Sequence, residues 1–307
     1  MGMMTHVALV ARGVRMDLGE VTKVAAALSI QIARDVAPLW GVNATVAAFA
    51  APKDVPVGYW PIYIEDPSKL PAGAGGVHLD KRNQPYSLIE TGDEWSLDAS
   101  HECIEMLVDP SGNRVRANPI LDQAVALGYP DHQVQYIVEA CDPIEDAKYG
   151  YQINGVLVSD FFTPHFYDAV KSTGVQYDFT GALSAPRTVV TNGYISWFDP
   201  VDNTVMQLAN FVNPRTGKLD PQLVNLSEKA SFDKIAREQS LRAAVDRNTP
   251  HPNYRSSLGS DALTRIATKR AAVSAASRAR AAQLADESPS AAGGRKRSAA
   301  RRRASRR

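Results

Sequence analysis

Between Trp95 and Pro110 the chain reads WSLDASHECIEMLVDP, and four of these side chains can bind a cation or move a proton: His101, Glu102, Glu105 and Asp109. At about 100° per residue on a helix, Glu105 falls about 40°, Asp109 about 80° and Glu102 about 100° from His101, so the four share one face. Cys103, Ile104, Leu107 and Val108 fill the rest of the circumference, an apolar stripe that docks the helix on a core. Ser96 or Asp98 can cap its start, and Pro110 ends it. Carboxylates at helical i,i+4 spacing repel one another unless something neutralises them. A divalent cation would do so; otherwise the same residues make a solvated acidic face.

The elements that must position this helix come before it. Thr5 to Arg12 is strand-like, and Leu18 to Trp40 carries helical apolar spacing at Val21, Val24, Ala25, Leu28, Ile32 and Val36. Three strand candidates follow: Asn43 to Phe49, Tyr59 to Ile64, and Gly76 to Leu79 with its continuation Ser87 to Glu90. A strand, a long helix, several strands and then the candidate metal helix resembles the build of metzincin-like and related zincin domains. That resemblance implies an α+β fold with a mixed sheet and an active-site helix. In zinc peptidases with a His-Glu-x-x-His helix, positions i and i+4 ligate one ion and the intervening Glu is the general base. Here Glu105 stands in place of the second His.

A second block lies about thirty residues on. Residues 134 to 143, VQYIVEACDP, read as a strand ending in Glu139 and Asp142 and closed by Pro143. Ser100-His101-Glu102-x-x-Glu105-x-x-x-Asp109-Pro110 together with Glu139-x-x-Asp142 is similar to a pair of blocks in Exordium-like plant proteins and bacterial zincin-like proteins. The similarity spans roughly residues 76 to 165. It implies a metal site: His101 and Glu105 as two ligands, Glu139 as first choice for the third, and Asp109 or Asp142 as alternatives. A water would complete four-coordination, with Glu102 taking its proton as it attacks a peptide carbonyl. Zinc is the first expectation from the helix motif; because one His and two carboxylates would neutralise the ion and acidify its water less, manganese or calcium, which oxygen ligands favour, are the alternatives.

A donor to the developing oxyanion should come from beyond Pro143. Tyr149 to Ser159 reads as a hairpin around Asn154-Gly155. Beyond it His165, Tyr151 and Tyr167 are candidate donors, His165 also a candidate ligand; packing in an aromatic loop is the alternative for each. His78 and Asp80 alternate along a strand and so share a face that in a zincin borders the cleft, although a strand-end turn, with Asp80 opening the polar loop Lys81 to Gln84, accounts for them better. Thr188 to Phe198 and Thr204 to Leu208 form a second hairpin, and Pro221 to Val245 reads as helical.

The 307 residues exceed one typical core, and composition divides them. The resemblance implies a zincin-like α+β domain over residues 1 to 250, with a core to 170 and a β-rich extension over 171 to 250. Residues 251 to 287 are an Ala-rich helical linker, and 288 to 307 a disordered basic tail. Arg295 to Arg307 hold eight Lys or Arg and no acid, so removing them from the net +1 leaves a body at −7. Such an arm can bind nucleic acid or another polyanion, or remain solvated. The two cysteines make neither a disulfide framework nor a C-x-x-C site, and are expected as buried thiols beside the metal. No run reaches the apolar length of a membrane span, and no charged-then-apolar leader precedes Arg15, which gives a cytoplasmic expectation. The sequence thus predicts a divalent-metal-dependent, peptidase-like hydrolase acting on a peptide or protein substrate. The rival is a non-enzymatic interaction or structural protein that keeps the scaffold and a structural cation.

Overall fold

The computed structural model describes residues 4–70, 75–81, 84–112 and 114–227. Two five-stranded sheets organise them, and one helix lies between their cores.

The first sheet has the order β2-β1-β3-β5-β4, formed by β1 (Thr5–Ala11), β2 (Ala44–Phe49), β3 (Trp60–Glu65), β4 (Gly76–Lys81) and β5 (Gln84–Glu90). β1 runs parallel to β2 and β3, and β3 to β5; only β4, at the edge, is antiparallel. Alternation along the strands turns Val7, Leu9, Val46, Ile62, Ile64 and Ile89 into one core, each worth roughly 1.5–3 kcal/mol when fully buried. Against it pack α1 (Leu18–Gln31), through Val21, Val24, Ala25 and Leu28, and α3 (Trp95–Val108), through Ala99, Cys103, Met106 and Leu107. Asp17 caps α1 by accepting from the Glu20 N–H at 2.9 Å. The expected helix to Trp40 is one continuous rod, but Ile32–Val36 widen into a π-helical turn before α2 (Ala37–Trp40). Gly41, in the left-handed region at φ 68°, closes it.

The second sheet is wholly antiparallel, in the order β12-β11-β10-β7-β6: β6 (Val115–Pro119), β7 (Gln133–Ile137), β10 (Gly193–Asp199), β11 (Thr204–Asn213) and β12 (Lys218–Asn225). It draws strands from both sides of residue 170. The short helix α4 (Asp122–Ala126) links β6 to β7. β8 (Tyr151–Ile153) and β9 (Val156–Val158) form the hairpin expected around Asn154-Gly155, both in the left-handed region at φ 50° and 75°. Ile104 and Val108 of α3 enter the second core with Tyr136, Val138, Phe161, Phe162, Ile195, Trp197 and Leu208.

Four expectations need correction. The segment with continuation, Gly76 to Leu79 and Ser87 to Glu90, is two antiparallel strands rather than one, with His78 opposite Ser87. Neither Ser96 nor Asp98 caps α3; Glu94 is the N-cap residue and makes no side-chain cap bond. β7 stops at Ile137, so Glu139 and Asp142 lie past the strand, and Asp142 opens a 3-10 turn (Asp142–Ile144). The helix expected from Pro221 begins inside strand β12, where Leu223 pairs with Leu208 and Pro221 is tolerated because the strand is an edge. The rest of that helix, the Ala-rich linker and the basic tail fall outside the described residues. No helix among the described residues is long and apolar enough to cross a membrane.

Candidate metal centre

α3 is buried around its whole circumference: every residue from Leu97 to Val108 is covered, including His101, Glu102 and Glu105. The acidic face is therefore no solvated surface. Its polar groups meet side chains from two other segments, β4 and the turn after β7.

Glu105 is the pivot. Its Oε1 accepts the backbone N–H of Cys141 at 3.0 Å, tying α3 to the turn after β7. Its Oε2 lies 3.3 Å from His101 Nε2 and 3.7 Å from His78 Nδ1. His101 Nε2 is also 3.2 Å from Asp142 Oδ1. These approaches lack hydrogen-bond alignment: both ring nitrogens of His101, Oε2 of Glu105 and Oδ1 of Asp142 are buried without a hydrogen-bond partner. Ligands around a tetrahedral ion with bonds of about 2.0–2.1 Å stand about 3.3–3.4 Å apart, which is the spacing seen here. His101, Glu105 and Asp142 can thus offer one ligand atom each, all within 4.8 Å of one another.

His78 comes from β4. Its cross-strand partner Ser87 contacts Met106 of α3 through its hydroxyl (3.5 Å), and directly opposed residues point to the same face, so His78 also faces α3. His78 Nδ1 stands 3.6 Å from Glu139 Oε2 and 3.8 Å from Glu102 Oε2. Two glycines permit this closeness. A Cβ at Gly76 would lie 2.5 Å from Glu102 Cγ and Oε1, and one at Gly193 would strike the Pro143 carbonyl. The first lets β4 run across Glu102; the second lets β10 start against the Asp142 turn.

The charges pull against one another. Burial raises the carboxyls of Glu102, Glu139 and Asp142 above their usual range, and for Asp142 the nearby Glu105 adds to it. Burial opposes the charged imidazoles, yet the surrounding carboxylates, Glu139 at His78 and Glu105 at His101, push both rings well above the ordinary histidine value. Glu105 alone is held low: burial works against it, and His101 and His78 overcome that. None of the four carboxylates pairs with a lysine or arginine; the Lys and Arg ion pairs among the described residues are Arg12–Glu65, Arg34–Asp35 and Lys148–Asp146.

The structure brings together His101, Glu102, Glu105, Glu139 and Asp142 from the sequence-predicted set. Asp142, the alternative, joins His101 and Glu105, while Glu139, the first choice, faces His78. Asp109 is buried, but its Oδ2 accepts the Arg114 backbone N–H at 2.8 Å. His165 is not brought in: its side chain is 57% exposed and Nδ1 sits 3.0 Å from Asp168. Tyr151 is engaged elsewhere, donating to Asp35 at 2.8 Å and accepting from Gln31 at 3.1 Å. Tyr167 stays eligible, with its hydroxyl buried and unpartnered and its ionisation suppressed by burial and by Glu139. Cys141 borders the centre, whereas Cys103 turns into the first core, where burial raises its thiol to about 12.

His78 was undervalued by the sequence. Its signal was the alternation in Gly-Val-His-Leu-Asp, which names a face but not what covers it. Behind α3, Ser100 fixes the helix: its hydroxyl donates to Gln31 Oε1 at 2.7 Å and accepts the Ser159 N–H at 2.9 Å. Comparison with protein-family models, with curated proteins and with solved structures returns no significant match.

Proposed function

We propose that this chain is a divalent-metal-dependent, peptidase-like hydrolase of zincin type. The observation that carries it is the set His101, Glu105 and Asp142: three buried ligand atoms converging without hydrogen-bond partners on a His-Glu-x-x-Glu helix. The order of strand, long helix, strands and metal helix supports the same reading. Bound there, a zinc or manganese ion supplies Lewis acidity toward a carbonyl oxygen and toward water.

The remaining chemistry belongs to side chains. Glu102 follows His101 directly, and its carboxylate has no hydrogen-bond partner, so it is available to take a proton. Burial raises its proton affinity, which suits a base that must later return the proton to a leaving amine. Tyr167 offers a hydroxyl donor on the Glu139 side. Ser100, Gln31 and Ser159 keep α3 from rotating and so hold the ligands in register.

One observation favours a second reading, a structural cation in a non-enzymatic scaffold: His78, His101, Glu102, Glu105, Glu139 and Asp142 are all 3% exposed or less. Structural sites are closed, and catalytic ones keep an open position. Purified protein loaded with zinc, and separately with manganese, decides between them in an assay on unfolded protein and peptide substrates. A hydrolase loses about a hundredfold or more of its rate in Glu102→Gln while keeping the His101-bound ion. Wild type carrying one ion per chain that cleaves nothing with either metal establishes the scaffold, and protein that retains no metal refutes both.

A further inference from the structure

The buried centre contains more donors than one ion can use, and they divide about Glu105. On one side stand His101 and Asp142, on the other His78, Glu102 and Glu139, and Glu105 Oε2 lies between the two imidazoles at 3.3 and 3.7 Å. The two groups whose ligand atoms lie within 4.8 Å of one another are His101, Glu105, Asp142 and His78, Glu102, Glu105, so Glu105 belongs to both. His78 supplies an independent sign of a ligand. It is 1% exposed, neither ring nitrogen has a hydrogen-bond partner, and Nδ1 aims at three carboxylates from 3.6–3.8 Å, too far to be hydrogen-bonded to any of them.

We propose that the centre is dinuclear: a second divalent cation sits among His78, Glu102 and Glu105, with Glu139 beside it and Glu105 Oε2 bridging the two ions. This rests on the reading that the cluster binds metal at all. Charge supports the count. Four buried carboxylates gather here and, among the described residues, no lysine or arginine pairs with them; charges left unpaired in an interior are costly. One divalent ion leaves two uncompensated, and two ions leave none with both rings neutral.

Two imidazoles and four carboxylates form a mixed nitrogen and oxygen set suited to first-row ions such as zinc or manganese, and paired ions sit about 3.5–4 Å apart. The second ion also changes Glu102. A carboxylate bound to a cation is not a free base, so filling the second position withdraws the proton acceptor of the single-ion form. Hydrolysis therefore rises with the first equivalent of metal and falls with the second.

The test uses the full chain, stripped with chelator, titrated with manganese alone, desalted and assayed for metal per chain. Electron paramagnetic resonance then separates coupled from isolated manganese. The expected result is two ions per wild-type chain with a spin-coupled signal, and one ion with an uncoupled signal in His78→Gln. One uncoupled ion in the wild type overturns the dinuclear centre and leaves the single-ion reading standing. No ion in the wild type overturns both. Because the wild-type spectrum decides alone, the outcome holds even where His78→Gln fails to fold.

Discussion

Replacing Asp142 by Asn removes one charge from the centre while keeping the side chain's shape, and the effect on stability should change sign with metal. Without a cation, the Asp142 carboxylate bears the cost of burial and of Glu105 close by, both of which raise its pKa. Asn relieves that cost, because it carries no charge to be left uncompensated in the interior. With a cation, the same substitution removes one of three ligands around His101. A hundredfold weaker affinity amounts to about 2.7 kcal/mol of binding. At a metal concentration of about 100 times the wild-type Kd, linkage transfers nearly all of it to folding. For a domain of this size each kcal/mol moves Tm by about 2–4 °C, so metal should raise the variant's Tm by about 5–10 °C less than it raises the wild type's. In chelator it should melt at or above wild type. Paired thermal melts by circular dichroism measure both. An equal loss in chelator and in metal would refute the argument, because Asp142 would then be the ion-pair partner of a protonated His101 and not a ligand.

Gly76→Ala should destabilise by about 1–3 kcal/mol and lower metal retention, because the added Cβ meets Glu102 at 2.5 Å; unchanged melting and metal content would contradict the close passage of β4. Asp160 provides a pH test away from the metal. Burial and Asp178 raise its carboxyl to about 8, against about 3.9 in an unfolded chain. The folded state then holds a proton that the unfolded state has lost. That stability is fully present below about pH 4 and is lost as pH rises to about 8, by at most about 1.4 kcal/mol per unit. Asp160→Asn mimics the protonated side chain, so its stability relative to wild type should increase between pH 5 and 8. Parallel curves for the two proteins would rule this out.

Helix α3 was legible because its information is local: His101, Glu102 and Glu105 lie within two turns, and helical geometry alone puts them on one face. The strands of the first sheet were legible through alternation at Val7, Leu9, Ile62 and Ile64. What the sequence could not supply was non-local. Which of Glu139 and Asp142 stands beside His101 depends on where the chain turns after Ile137, and that turn is tied to α3 by Glu105 accepting from Cys141, a bond between residues 36 apart in sequence. His78 was ambiguous because a strand pattern does not say which helix will lie on it. His165 failed for the opposite reason: residue type suggested chemistry, but Thr163 caps its short turn and leaves the ring beside Asp168. The Pro221 helix failed because Lys218–Asn225 is shaped by its partner β11.

The helix that bears most of the ligands is served from both directions along the chain. During synthesis, β1 to β5 and α3 emerge before Asp142 does, and the turn that delivers it is held by β10, which begins some fifty residues later still. Until then the acidic face of α3 has His78 above it, while the Asp142 turn lacks the strand start at Gly193 against which it packs. Closure of the His101 cluster is therefore a late step of maturation, and a nascent chain halted before Gly193 would carry the recognisable motif without the strand that backs the Asp142 turn.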